Sequence, residues 1–201
     1  MQTKISVNGA EFEFVEISAR NGCETFWMAV THTTEAQWCA VMGGKLVNGA
    51  RFPKVNVSLN DCEAFCDKLN ELTGGEFRLP TEFEYCAALG KEPENLADYA
   101  VFDVDAITEV GTNLPNEFGL YDIRGLAWHH CALEEKRNGK PRKWHALRGG
   151  SWLHNPSSAR AVYRYLSLPA LRYYGLGFRV VCCRPPSGLA TDGALAPTME
   201  E

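Results

Sequence analysis

Residues Leu147 to Val181, LRGGSWLHNPSSARAVYRYLSLPALRYYGLGFRVV, set the strongest constraint on how this chain folds. Arg148-Gly-Gly-Ser-Trp152 opens the stretch and Gly177-Phe-Arg-Val-Val181 closes it. Between those brackets the apolar residues keep neither a helical nor a strand period for long. Pro156 and Pro169 break any continuous helix, because proline has no backbone N–H and collides with the preceding turn. A run this long without regular structure needs a platform to hold it. Its Tyr, Leu, Ser and Arg content suits a contact surface, since Tyr and Arg join large contact area to hydrogen bonding. The rest of the chain is read as the platform, and this stretch as what it presents.

The platform is a mixture of helices and strands. Glu11 to Ile17 alternates apolar and charged residues, the pattern of a half-buried strand, and Cys23 to Val30 reads as a second strand. Thr33 or Thr34 caps a short helix through Met42, which Gly43-Gly44 ends. Ser58 caps a longer helix with Asp61 in its first turn and Cys62, Phe65, Cys66, Leu69 and Leu72 on one face; Gly74-Gly75 stops it. Phe77-Arg-Leu-Pro80 then leads into a capping box, Thr81 with Glu84, and a helix through Leu89. Glu82 and Glu84 offer two carboxylates for acid–base work, but cap and ion-pair roles account for both. Residues 90 to 112 read as an acidic loop, and 114 to 131 as turns between short apolar pieces.

At 201 residues the chain suits one domain, expected over residues 1–184, with 185–201 a mobile tail rich in Pro, Gly, Ala and Thr. No apolar run is long enough to cross a bilayer, and the N-terminal residues lack a signal-peptide pattern, so the expected compartment is the cytoplasm. The eight cysteines include no CxxC pair; Cys39, Cys62, Cys66 and Cys86 sit among core-like neighbours, which points to free, buried thiols. His129 and His130 are adjacent and point apart, and the five histidines form no HxH or HxxxH pair, so no metal site is expected. No phosphate-binding glycine loop and no GxSxG elbow is present. The net charge of −5 hides an asymmetry: Lys136 to Thr191 contains no acidic residue and eleven basic ones up to Arg184. That third either contacts nucleic acid or another anion, or pairs with the acidic remainder of its own domain.

The order of the motifs then carries a resemblance. Val30-Thr-His-Thr-Thr-Glu-Ala-Gln-Trp38, Pro53-Lys-Val-Asn-Val-Ser58, the Asp61–Phe65 helix, Thr73-Gly74, Phe77-Arg-Leu-Pro-Thr-Glu82, Asn116-Glu-Phe-Gly-Leu-Tyr-Asp122, Arg148-Gly-Gly-Ser-Trp152 and Gly177-Phe-Arg179 follow one another. Together they resemble the formylglycine-generating-enzyme, or sulfatase-modifying-factor, family across most of residues 10 to 182. The resemblance implies an α+β, C-type lectin-like fold with two helices, short antiparallel strands and much irregular loop. Activity does not travel with a fold. The family's copper-dependent oxidases use a cysteine pair after Gly-Gly-Ser-Trp, whereas here no cysteine lies between Cys131 and Cys182. Sulfoxide synthases sharing the domain take their iron ligands from an additional domain. The family's Gly-Asn-Val-Trp-Glu-Trp is here Gly125-Leu-Ala-Trp-His-His130, so the Asn and Glu tied to calcium in relatives are Leu126 and His129. No cofactor is implied, and the chain is not expected to be an enzyme.

The C-terminal segment is similar, more narrowly, to the variable region of proteins diversified by retroelements. There an error-prone reverse transcriptase substitutes at adenines of a template, so AAC codons become many others. On that pattern the ligand-binding, diversified positions are Leu153, His154, Asn155, Ser158, Tyr165, Leu166, Ser167, Leu168, Leu171, Tyr173, Tyr174 and Gly175, forming one solvent-facing patch within 147–181. Arg148, Trp152, Tyr163, Arg164, Phe178 and Arg179 are scaffold. Changing the first two bases of AAC cannot yield Lys, Glu, Gln, Met or Trp, and none of these occurs from Leu153 to Gly175. The expected function is non-catalytic binding of a protein ligand by a diversified surface. The alternatives are a divergent oxidase of the formylglycine-generating type and a nucleic-acid-binding module using the basic C-terminal third.

Overall fold

The computed structural model of the chain describes residues 1–133 and 143–184, together with the backbone of the strand pairs 136–137, 140–141 and 190–191. In chain order its elements are β1 (Gln2–Val7), β2 (Ala10–Ile17), β3 (Phe26–Ala29), α1 (Glu35–Met42), α2 (Leu59–Thr73), β4 (Phe77–Arg78), α3 (Glu82–Ala88), β5 (Ala100–Val101), β6 (Arg124–Gly125), β7 (Trp128–His130), β8 (Lys136–Arg137), β9 (Lys140–Pro141), β10 (His145–Arg148), β11 (Tyr165–Ser167), β12 (Leu176–Gly177), β13 (Val181–Cys182) and β14 (Ala190–Thr191).

A six-stranded sheet in the order β14-β1-β2-β3-β13-β4 forms the platform. Its first hairpin turns at Asn8-Gly9, both with positive φ, which matches the right-handed twist of the flanking strands. The alternation of β2 puts Phe12 and Phe14 on one face and Val15 and Ile17 on the other. β3 is buried on both sides, with Trp27 and Ala29 facing one core and Phe26 and Met28 the other. α1 and α2 cover the first face. There Phe65 of α2 stacks on Trp38 at 5.5 Å and meets Phe178 edge-on at 5.1 Å. Its full burial contributes about 1.5–3 kcal/mol. α3 and the segment around Leu120, Ile123 and Cys131 cover the second face.

All three helices begin with reciprocal capping boxes: Thr34 with Gln37, Ser58 with Asp61, and Thr81 with Glu84. Among the described residues three α-helices stand where the resemblance implied two, and α1 and α3 are short. β1 was not anticipated; only Ile5 and Val7 of its six residues are buried, too weak an apolar pattern to register. Cys62, Cys66, Cys131 and Cys182 are buried, and burial pushes their thiols upward, but Cys86 and Cys183 are exposed, which corrects the core placement of Cys86. Ala190–Thr191 runs parallel to β1; positions 185–189 and 192–201 of the expected tail lie outside the described residues.

A second sheet, in the order β11-β10-β7-β12, carries the irregular C-terminal stretch. β10 pairs antiparallel with both β11 and β7, and β12 runs parallel to β7.

Candidate ligand-binding surface

Residues opposite one another in a ladder share a face. Tyr165 lies opposite Leu147, Leu147 opposite His130, and Trp128 opposite Leu176. Trp128 and His130 are two apart on β7, so all five side chains project from the same face of the small sheet. His129 and Ala146 project from the other, into the core against Tyr85.

On the outward face Trp128, Leu147 and Leu176 form a buried apolar floor. Around the Trp128 indole stand His154, edge-on at 5.6 Å, Tyr163 at 5.8 Å and Tyr165 at 6.2 Å. With Leu171 and Tyr173 these residues line an open groove of about 340 Å³. Among the described residues no charged side chain lines it.

The loops bordering the groove are tied to the platform through their backbone. Trp128 donates its N–H to Gly175 O, and Asn60 donates to Pro169 O. Arg172 forks onto both carboxylate oxygens of Asp61 at 2.6 Å, which holds that carboxyl well below the usual range. Arg148, nearly buried, donates to the carbonyls of Ala161 and Tyr163 and faces the Tyr85 ring. Ser151 Oγ and His154 Nδ1 are 2.7 Å apart, fixing the imidazole at the edge of the groove.

Nine of the twelve positions assigned to the diversified patch reach solvent: Leu153, Asn155, Tyr165, Leu166, Leu168, Leu171, Tyr173 and Tyr174 are exposed, and His154 is half-buried. Ser158, Ser167 and Gly175 are buried instead and do not belong to a solvent-facing patch. Trp128, Leu147, Tyr163 and Leu176 line the groove without having been singled out as lining residues. Only Tyr163 carried a signal: it sits amid the Tyr- and Arg-rich run and is 41% exposed, unlike a pure scaffold residue. Phe178 and Arg179 are fully buried. Arg179 donates to the carbonyls of Ala29, Val30 and Tyr121, and burial lowers it to about 10.

The acids and histidines are engaged elsewhere. Glu82 meets Arg164 at 2.5 Å and Arg148 at 3.7 Å, and Glu84 pairs with Arg78 and caps α3. Arginines of the basic third thus face acids of the preceding part; the side chains of Lys136, Arg137, Lys140 and Arg142 lie outside the described residues. His130 and His145 meet at 2.7 Å beside the groove, and His130 also reaches Val57 O. His32 stacks on His129 at 4.0 Å and reaches Ala127 O.

Leu126 and His129, at the positions tied to calcium in relatives, do not fit a hard cation: Leu126 is buried among Val101 and Val110, and His129 lies in the core. Leu126 keeps a φ of +58°, a region that asparagine enters far more readily than leucine. Among the described residues no three His, Cys, Asp or Glu side chains converge as a metal site, and no helix is long and apolar enough to cross a membrane.

The family model for the sulfatase-modifying factor enzyme 1-like domain matches residues 2–114 and 96–183. No curated protein matches in sequence. Among solved structures the chain is similar to variable protein 1 of Treponema denticola, with a TM-score of 0.79, 23% identity, and 92% of this chain and 99% of that one covered. PvdO from Pseudomonas aeruginosa superposes with a TM-score of 0.68 at 20% identity, covering 92% of each chain. The P3c variant of Major Tropism Determinant gives 0.52 at 16% identity, over 78% of this chain and 50% of that one. The fold is α+β and C-type lectin-like, of the type seen in formylglycine-generating enzymes.

Proposed function

Given that the chain belongs to the sulfatase-modifying factor enzyme 1-like family, we propose that it is a non-catalytic ligand-binding protein whose C-terminal surface is diversified by a retroelement and takes protein ligands. The observation that carries this reading is the groove on the small sheet. Four of its lining residues, His154, Tyr165, Leu171 and Tyr173, belong to the positions assigned to diversification, and five more of those positions are exposed elsewhere in the same segment. Exposed Leu and Tyr side chains gathered in this way are unusual on a surface that binds nothing. Likeness to the Treponema denticola variable protein agrees with such a role.

Catalysis of the oxidase type lacks its chemistry. Copper(I) wants soft thiolate ligands, and the segment from Leu147 to Val181 has no cysteine. Glu82, Glu84 and Asp61 are held by arginines, leaving none of them a free general base. Those same pairings remove Arg148, Arg164 and Arg172 from any nucleic-acid surface.

The test is to sequence the DNA around the gene. A near-copy of codons 147 to 181 carrying AAC at the assigned positions, beside a reverse-transcriptase gene, is the expected result. A complete locus holding neither overturns diversification.

A further inference from the structure

We propose that the groove over Trp128 is an anchor socket with a constant floor and diversified walls, and that it receives one uncharged aromatic side chain of a protein ligand. This rests on the reading that the surrounding face binds ligands. The floor, Trp128, Leu147 and Leu176, comes from β7, β10 and β12 and lies outside the positions assigned to diversification. The walls include Tyr165, Leu171 and Tyr173, which lie inside them. Each variant of the surface thus keeps the same apolar bottom while changing what surrounds it.

The lining selects the chemistry of the occupant. With no charged side chain among the described residues that line the groove, an ammonium or carboxylate seated there loses its water and gains no counter-charge from the lining. Arg172, between the wall residues Leu171 and Tyr173, is already forked onto Asp61. A quaternary ammonium prefers aromatic faces turned inward on all sides. Here the neighbouring rings pack against Trp128 at 5.6–6.2 Å rather than facing a common centre, and three of the eight lining residues are leucines. A sugar calls for carboxylate or carboxamide groups to grip paired hydroxyls, and none lines the groove. A flat ring suits both the apolar floor and the offset or edge-on partners on the walls. Clefts of this kind, dry at the centre and rimmed by Tyr, are where truncation of a partner's aromatic residue costs binding most.

The experiment follows the Trp128 indole N–H by NMR while N-acetyl-tryptophan amide, N-acetyl-lysine amide, tetramethylammonium and methyl mannoside are titrated separately. The Trp128 resonance is assigned by its loss in Trp128→Phe. The tryptophan amide is expected to shift it saturably, equally at low and high salt, and the other three probes are expected to leave it in place. In Leu171→Asp the tryptophan amide should bind at least roughly fivefold more weakly, with the remaining indole signals unmoved as evidence of folding. Absence of a tryptophan-amide shift, or an equal response to any other probe, overturns the socket. A template-bearing locus found alongside such a failure would leave the diversified surface standing. A socket that binds in a locus without a template would refute diversification alone.

Discussion

Acidification between about pH 7 and pH 5 should strip a large part of this protein's stability, and the buried histidines set the amount. His32 is held down to about 3 by burial and by the neighbouring Arg179 charge. His130 is held to about 3 by burial and by His145, and His145 itself lies at about 4. His129 is pushed well below its ordinary value by burial, then by His32 and Arg179. Unfolded imidazoles titrate near 6.5, so below that pH the unfolded chain binds protons the folded one refuses, and stability falls. At pH 5 the loss is about 2 kcal/mol per group, set by the unfolded value and hardly by how far below 5 the folded one lies. His32 and His130 alone therefore account for about 4 kcal/mol, against a total of about 5–15 kcal/mol for a typical domain. Asp61, held low by Arg172, and Glu84, where Arg78 and the Thr81 N–H outweigh burial, lose their contributions only below about pH 4, so they do not enter this window. Urea unfolding across the range measures the drop. His130→Gln removes one titrating group and should shrink the pH-dependent loss by about 2 kcal/mol. A wild-type stability that is flat across the window, or a variant with the same slope, would refute the reasoning.

Three further perturbations have definite expected outcomes. Gly125 takes a φ of +71°, and a Cβ there would stand 2.5 Å from Val101 O, so Gly125→Ala should cost about 3 kcal/mol and lower Tm by roughly 10 °C in calorimetry. Thr81→Ala removes the side-chain half of the α3 capping box and should cost about 1 kcal/mol in urea unfolding, because Glu84 keeps its pair with Arg78. Arg172→Ala frees the loop over α2 from Asp61. Amide exchange at 168–175 should accelerate while the global urea midpoint stays in place, and unchanged exchange would deny the tether.

The helices and the central strands were legible because their signals are local. Ser58 with Asp61 and Thr81 with Glu84 announce caps within four residues, and Phe65 and Leu69 repeat on one face. β2 was legible through apolar alternation, and β3 through its aromatic and apolar run after the turn-like Arg20-Asn21-Gly22. The two- and three-residue strands were not, since β6, β7, β12 and β13 are defined by partners far along the chain rather than by their own pattern. The same limit hid the groove floor. Trp128 sits beside two histidines in a segment with no period, and only pairing with Leu176 and the placement of Leu147 turn it into the floor of a groove. Patterning also misplaced Ser158, Ser167 and Gly175, because distance along an irregular run says nothing about which way a side chain turns.

Those inward positions bear on how the surface, under the proposed diversification, would keep its fold. Ser158 abuts Gly150 so closely that a Cβ on Gly150 would lie 2.6 Å from its Oγ, and a Cβ on Gly175 would lie 2.8 Å from Ser151 Oγ. Ser167 is fully buried opposite His145 in the β10–β11 ladder. At Gly175 even a Cβ forces a shift, and the buried Ser158 and Ser167 leave room for small residues only; codons derived from AAC include Gly, Ala and Ser, so under the proposed diversification a few substitutions there would be structurally silent while bulky ones would clash. The nine outward positions have no such size restriction, although the Asn155 side chain caps the turn at 156–159 and His154 meets Ser151. Their backbone is held by ladder bonds between β10 and β11, by Arg148 on the carbonyls of Ala161 and Tyr163, and by Trp128 N–H on Gly175 O. None of those bonds involves a side chain at a position assigned to vary, so Tyr165, Leu166, Leu171 or Tyr173 can be exchanged without removing what fixes the loop beneath it. Separating the groups that hold the backbone from those that meet the ligand is the physical condition for changing many contact residues while keeping one fold.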